Sequence, residues 1–158
     1  MAAKSRRLVI DADVLRASGG PNAVHPTATK CREYLQGVLR ICHRAQVSDQ
    51  LNTEWYTHAS KFARDWKTAM AQRGKLERVE DVEDVEVRRK LPGAELTDEE
   101  QAALDKDLHL LEAALRADRV VVSLDARMKR IANKASKVAR KLRGLRFVDP
   151  TAESVESL

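Results

Sequence analysis

A chain of 158 residues with 43% hydrophobic and 34% charged positions is sized for one domain with a real core, which excludes a disordered protein. No apolar stretch approaches the roughly 20 residues that a bilayer span needs. The basic start, Met1 to Arg7, leads straight into a short strand with no apolar signal region, so a cytoplasmic protein without membrane contact is expected.

The net charge of +5 is unevenly spread. Residues 77–86 are strongly acidic, whereas 127–146 carry Arg127, Lys129, Arg130, Lys134, Lys137, Arg140, Lys141, Arg143 and Arg146 with no acid between them. That second stretch suits a polyanion such as a nucleic-acid backbone; a solvated helix face is the plainer alternative, although such faces usually mix both signs.

In chain order, residues 7–11 read as a buried strand and Ser18-Gly19-Gly20-Pro21-Asn22 as a loop. Cys31, Tyr34, Leu35, Val38, Leu39 and Cys42 have helical spacing, which predicts a helix over about 28–43. Eleven positions at 1.5 Å rise separate the two cysteines by about 16 Å, beyond disulfide reach, so both are expected to be small core residues. A short strand is expected near 45–47, with Ser48 or Asp49 capping a helix that runs to about Arg73. Its stripe is Leu51, Trp55, Ala59, Phe62, Trp66 and Met70, and Gly74 ends it. The segment 74–96 reads as an acidic insert or loop, in which Val79, Val82 and Val85 among acids allow a weak helix, an extended arm or a mobile loop. Thr97 and Glu100 then form a capping box for a helix to about Ala117, with Leu104, Leu108, Leu111 and Leu115 as its stripe. Residues 119–124 make the clearest strand, a basic helix follows, and a last strand near 146–148 is stopped by Pro150. Alternating strands and helices predict an α/β fold: a three-layer α/β/α domain over 1–150, with a mostly parallel sheet of four to five strands. The polar tail 151–158 is expected to be flexible.

Four acids fall at telling places. Asp11 ends the apolar run Leu8-Val9-Ile10, and Asp125 ends Val120-Val121-Val122-Ser123-Leu124. Asp107 interrupts the stripe of a helix, and Glu54 lies early in another. Carboxylates at the ends of buried strands are costly unless something cationic meets them. Ligands of open α/β sheets bind at those strand ends. An acidic pocket for a divalent cation is the simplest reading, and its hard oxygen donors suit Mg²⁺ or Mn²⁺. Two like charges ~4 Å apart repel by roughly 4 kcal/mol at an effective dielectric near 20. Some of these acids should therefore have raised pKa values without metal. Structural alternatives exist for each. Asp11 and Asp125 can cap following helices, the dipole favours Glu54, and Asp13 can bond loop backbone. Asp107 is the hardest to explain in that way. Ser123 can orient a ligand or bond backbone, Asp105 and Glu112 read as solvated helix charges, and Trp55 and Trp66 as core.

The arrangement resembles the PIN domain family of metal-dependent nucleases. Val9-Ile10-Asp11-Ala12-Asp13-Val14-Leu15 is similar to the family's opening strand, Lys106 to Leu115 to the helix bringing a later acid, and Val121-Val122-Ser123-Leu124-Asp125 to a strand-end S/T-x-D. Glu54 is the best match to the family's second acid. The resemblance runs from Leu8 to Val148; the acidic segment after Gly74 is longer than a compact member needs.

It implies an endoribonuclease in which Asp11, Glu54, Asp107 and Asp125 hold Mg²⁺ or Mn²⁺ and carry catalysis. Asp13, Ser123, Arg127, Lys129 and Arg130 would then meet RNA. It further implies a homodimer and allows a toxin held in check by an antitoxin protein. A catalytically silent nucleic-acid-binding module and a small-molecule phosphatase are the competing expectations.

Overall fold

The computed structural model describes residues 4–20 and 22–158; Met1 to Ala3, and Pro21 within the expected loop, lie outside the described residues. Five strands, β1 (Arg7–Ile10), β2 (Arg44–Ser48), β3 (Leu76–Val79), β4 (Val120–Val122) and β5 (Arg146–Val148), form one parallel sheet in the order β3-β2-β1-β4-β5. Among the described residues seven α-helices flank it: α1 (Ala12–Ala17), α2 (Pro26–Ile41), α3 (Asp49–His58), α4 (Lys61–Gln72), α5 (Val85–Lys90), α6 (Asp98–Leu115) and α7 (Ala126–Ala135). The fold is the expected three-layer α/β/α arrangement, with every strand pair parallel.

The central strand explains that outcome. Leu8, Val9 and Ile10 are fully buried, and β1 pairs with β2 through Leu8↔Ala45 and with β4 through Ile10↔Val122. A strand covered on both faces needs a continuous apolar run, which β1 and β4 supply. The chain winds outward from β1 through β2 to β3, then crosses to β4 on the other side. The strand order therefore reverses between β1 and β4, and the crevice outside their carboxyl ends is where such sheets bind ligands.

Several elements depart from expectation. The single helix expected to Arg73 is two, because Ala59 turns extended and the Ser60 hydroxyl caps α4 by accepting from the Ala63 N–H at 3.1 Å. The apolar period survives the break since both helices cover one core, where the Trp55 and Trp66 rings lie 5.8 Å apart. α1 fills residues 12–17, between the expected strand and loop, for which the sequence predicts no element; six residues are too few to show a period. The segment after Gly74, expected as an acidic insert or loop, contains the edge strand β3 and the short helix α5. β3 pairs with β2 from Ala45↔Leu76 to Ser48↔Val79, and Arg44 meets Glu77 across the pair at 2.8 Å.

The tail folds back instead of fraying. Val155 is buried against α2, where a Cβ on Gly37 would stand 2.3 Å from its Cγ1, so only glycine permits the approach. Cys31 is core, but Cys42 is exposed, at the left-handed residue that ends α2. Among the described residues, no helix is long and apolar enough to cross a membrane.

Candidate functional site

Each of the four acids is placed by a different element. Asp11 directly follows β1, and its N–H donates to the Val122 carbonyl at 2.9 Å, which ties it to the end of β4. Two residues on, Asp13 lies in the first turn of α1. Glu54 rides on α3, held down by its neighbour: Trp55 is fully buried and its Nε1–H donates to the Ile10 carbonyl at 2.8 Å. Asp107 is half-buried on α6, where the Thr97–Glu100 capping box starts the helix and Leu104, Leu108 and Leu111 anchor it. Asp125 is the N-cap of α7.

Asp11, Asp13, Glu54, Asp107 and Asp125 all line one open cleft of about 340 Å³ at the β1–β4 crevice. Ser123 knits its floor. Its hydroxyl lies 2.9 Å from Asp11 Oδ2 and 3.2 Å from Asp13 Oδ2, and with one proton it can donate to only one at a time. The same oxygen accepts from the Asp125 N–H at 3.0 Å. Asp13 also accepts from the Leu124 N–H, and Asp125 Oδ1 from the N–H groups of Arg127 and Met128 at 2.9 and 3.2 Å. The structural roles weighed for Asp13 and Asp125 are therefore both realised, while both residues still face the cleft. Asp11, by contrast, makes no side-chain cap to α1.

The electrostatics are strained. Burial, reinforced by the Asp11 charge, pushes the Asp13 carboxyl up to about 7 against the opposing Leu124 and Ser123 hydrogen bonds. Asp107 is raised to about 6, first by burial and then by the charges of Asp11 and Asp125, with Lys106 opposing. Asp11 is raised as well, chiefly by burial, with the Asp125 charge adding to it. Buried carboxylates that repel one another and lack a buried cation form a site short of positive charge.

The donor chemistry fits a hard divalent ion: carboxylate oxygens from four elements around one opening. Among the described residues, no three His, Cys, Asp or Glu side chains stand close enough together, as placed, to hold a metal ion. The acids line a cleft without closing on its centre.

Sequence reasoning missed Arg16, His58 and Lys106, which share the lining. His58 stands four residues after Glu54, a spacing that puts both on one helix face and could have been noticed. Arg16 depended on α1, which was not expected. His109, given no role from the sequence, brings its Nε2 to 3.1 Å from Glu54 Oε1.

The basic stretch divides. Lys134 pairs with Glu100, Lys141 with Asp84 and Glu86, and Arg146 with Glu153. Arg127 donates to the Glu99 carbonyl at 3.2 Å and lies beside Asp107 and Asp125. Lys129 and Arg130 are exposed on α7 and meet no acid among the described residues. Acids distant in sequence thus neutralise part of a run that contains none.

No family model matches this chain, and a search of curated proteins finds no match to it.

Proposed function

We propose that this protein is a Mg²⁺- or Mn²⁺-dependent endoribonuclease. The observation that carries the reading is the convergence of Asp11, Glu54, Asp107 and Asp125 on one cleft at the sheet's switch point, with burial and mutual repulsion raising Asp11, Asp13 and Asp107. In this reading those four acids hold the ion. A divalent ion bound there supplies a Lewis acid for a phosphate oxygen and lowers the pKa of a bound water. Ser123 keeps Asp11 and Asp13 in place through its hydroxyl, and the Leu124 N–H steadies Asp13. Arg127, Lys129 and Arg130 follow Asp125 directly, so they are the cations nearest in sequence to meet an RNA backbone.

The resemblance to PIN domains supports the same assignment. The RNA partner, pairing with a second copy and control by an antitoxin protein rest on that resemblance alone. One observation favours the silent binding module. Asp13 and Asp125 already have structural work, in a loop bond and a helix cap, that needs no metal.

Cleavage of a long labelled RNA with Mn²⁺, Mg²⁺ or EDTA, by wild type and Asp107→Asn together, tests the proposal. We expect cutting that requires the ion and falls to assay background in the variant. A folded Asp107→Asn protein cutting at the wild-type rate overturns the assignment. RNA binding without cleavage by either protein favours the binding module, and hydrolysis of a generic phosphomonoester alone favours a phosphatase.

A further inference from the structure

Among the described residues, His109 is the one side chain with two buried polar atoms that lack a hydrogen-bond partner. It lies on α6 two residues past Asp107, its side chain 8% exposed, and neither ring nitrogen has a hydrogen-bond partner. Buried polar groups are nearly always partnered, so two orphans on one ring call for an explanation. The surroundings supply one. On one side Nε2 approaches Glu54 Oε1 to 3.1 Å, close enough for a hydrogen bond but not aligned with the ring N–H. On the other side the ring borders a second cavity of about 170 Å³, with Gln50, Arg88 and Arg116 among its lining residues. His109 thus lines that cavity and touches Glu54, one of the acids that line the cleft.

We propose that His109 is a positioning residue for Glu54: its Nε2–H turns onto Oε1 and fixes the carboxylate with Oε2 toward the cleft. This rests on the reading of the cleft as a divalent-cation site. Glu54 is half-buried and sits on α3, while Asp107 sits on α6, so the two acids reach the cleft from separate helices. Glu54 accepts no other side-chain or backbone hydrogen bond among the described residues, so without His109 its three side-chain torsions are free. A carboxylate that must meet an ion needs its orientation set by an outer partner, and losing such a partner typically costs 10–100-fold in metal affinity. In either charge state the ring can present an N–H at Nε2, and the polar groups of the second cavity can serve Nδ1 directly or through water.

Mn²⁺ binding to the metal-free full chain, read by the electron paramagnetic resonance of free Mn²⁺, tests this without cleavage. Glutamine places its amide nitrogen where His Nε2 stands, asparagine where Nδ1 stands, and phenylalanine keeps the ring volume with no donor. His109→Gln is expected to bind within about threefold of wild type, and His109→Phe and His109→Asn to bind at least about tenfold more weakly. In a Glu54→Gln background the His109→Phe loss should largely vanish, because the two residues act as a pair. Equal binding by all three variants overturns the proposal, as does rescue by asparagine in place of glutamine. A His109→Phe loss undiminished in the Glu54→Gln background, which marks a merely structural role, also overturns it. Asp107→Asn is the control for the site itself. If wild type binds Mn²⁺ no better than Asp107→Asn, the cation site falls and this inference with it. If wild type binds better and the histidine variants match it, only the inference falls.

Discussion

Two acidic regions meet at α6, and their environments are opposite. Glu112, expected as a solvated charge, is 3% exposed. Arg88 grips both of its oxygens, Nε to Oε2 at 2.9 Å and Nη2 to Oε1 at 2.7 Å, and the Asp84 N–H donates to Oε2 as well. One and a half turns earlier on the same helix, Asp107 faces Asp11 and Asp125, with Lys106 opposing their repulsion. Both regions draw carboxylates away from water, Glu112 fully and Asp107 by about half, but only one compensates them. A buried carboxylate wrapped by a guanidinium and a backbone N–H does structural work, here fastening α5 and the acidic segment before it onto α6. A group of half-buried carboxylates left to repel one another is what the proposed cation would relieve.

The compensated pair gives the largest expected change in stability. Arg88→Met keeps the length and apolar stem but leaves Glu112 buried with its charge unpaired. Breaking such a pair from one side costs about 3 kcal/mol, somewhat less where one partner reaches solvent as Arg88 does. Urea unfolding should show that loss, and Arg88→Met with Glu112→Leu should recover much of it. An Arg88→Met protein as stable as wild type would mean that Glu112 is not held as described.

The cleft should respond with the opposite sign. Asp13 and Asp107 have folded-state pKa values of about 7 and about 6 against 3.8 for the free side chain. Between those limits the folded protein keeps protons that the unfolded chain has released. Their stabilising contribution is therefore complete below about pH 4 and is lost as pH rises through 6 and 7. In EDTA, Asp13→Asn should raise stability at pH 8 by about 1 kcal/mol, a rise of about 2–4 °C in Tm for a chain of this size. It should also flatten the fall in stability between pH 5 and pH 8. Thermal unfolding at both pH values checks it. A loss of stability at pH 8 would show that the Leu124 and Ser123 hydrogen bonds outweigh the repulsion.

The contrast also explains what could be read from the residues alone. Leu8-Val9-Ile10 and Val120-Val121-Val122 announce central strands because burial on both faces demands unbroken apolar runs. Thr97 and Glu100 announce a helix start because that chemistry is local. Asp11 and Asp125 stood out as acids at the ends of such runs, and Asp107 as an acid beside a leucine stripe; all three line the cleft with Glu54. What was missed depends on distant partners. Ser60 breaks α3 from α4 without disturbing the apolar period, and β3 is an edge strand whose charged residues look like a loop until Arg44 meets Glu77. Glu112 resembled any exposed helix acid because Arg88, its partner, lies 24 residues away on α5. His109 gained significance only when folding set it against Glu54.

The same distinction applies, more weakly, to the cations of the basic stretch. Lys134, Lys141 and Arg146 already have acids within 4 Å, so a polyanion would have to displace those partners to use them. Lys129 and Arg130 are exposed and unpaired among the described residues, and they lie on α7, which Asp125 caps at the cleft. If compensation decides which charges serve a partner, only the unpaired cations should release counterions on binding RNA. Each phosphate contact on a single strand contributes about 0.7 to the slope of log affinity against log salt. Lys129→Ala with Arg130→Ala should therefore shallow that slope by about 1.4 in the non-cleaving Asp107→Asn background, with affinity falling several-fold at moderate salt. Lys134→Ala with Arg146→Ala should leave it nearly unchanged. Equal effects from the two pairs would mean that the folded-state ion pairs exchange freely with phosphate, and that compensation marks function among the buried acids but not among these surface cations.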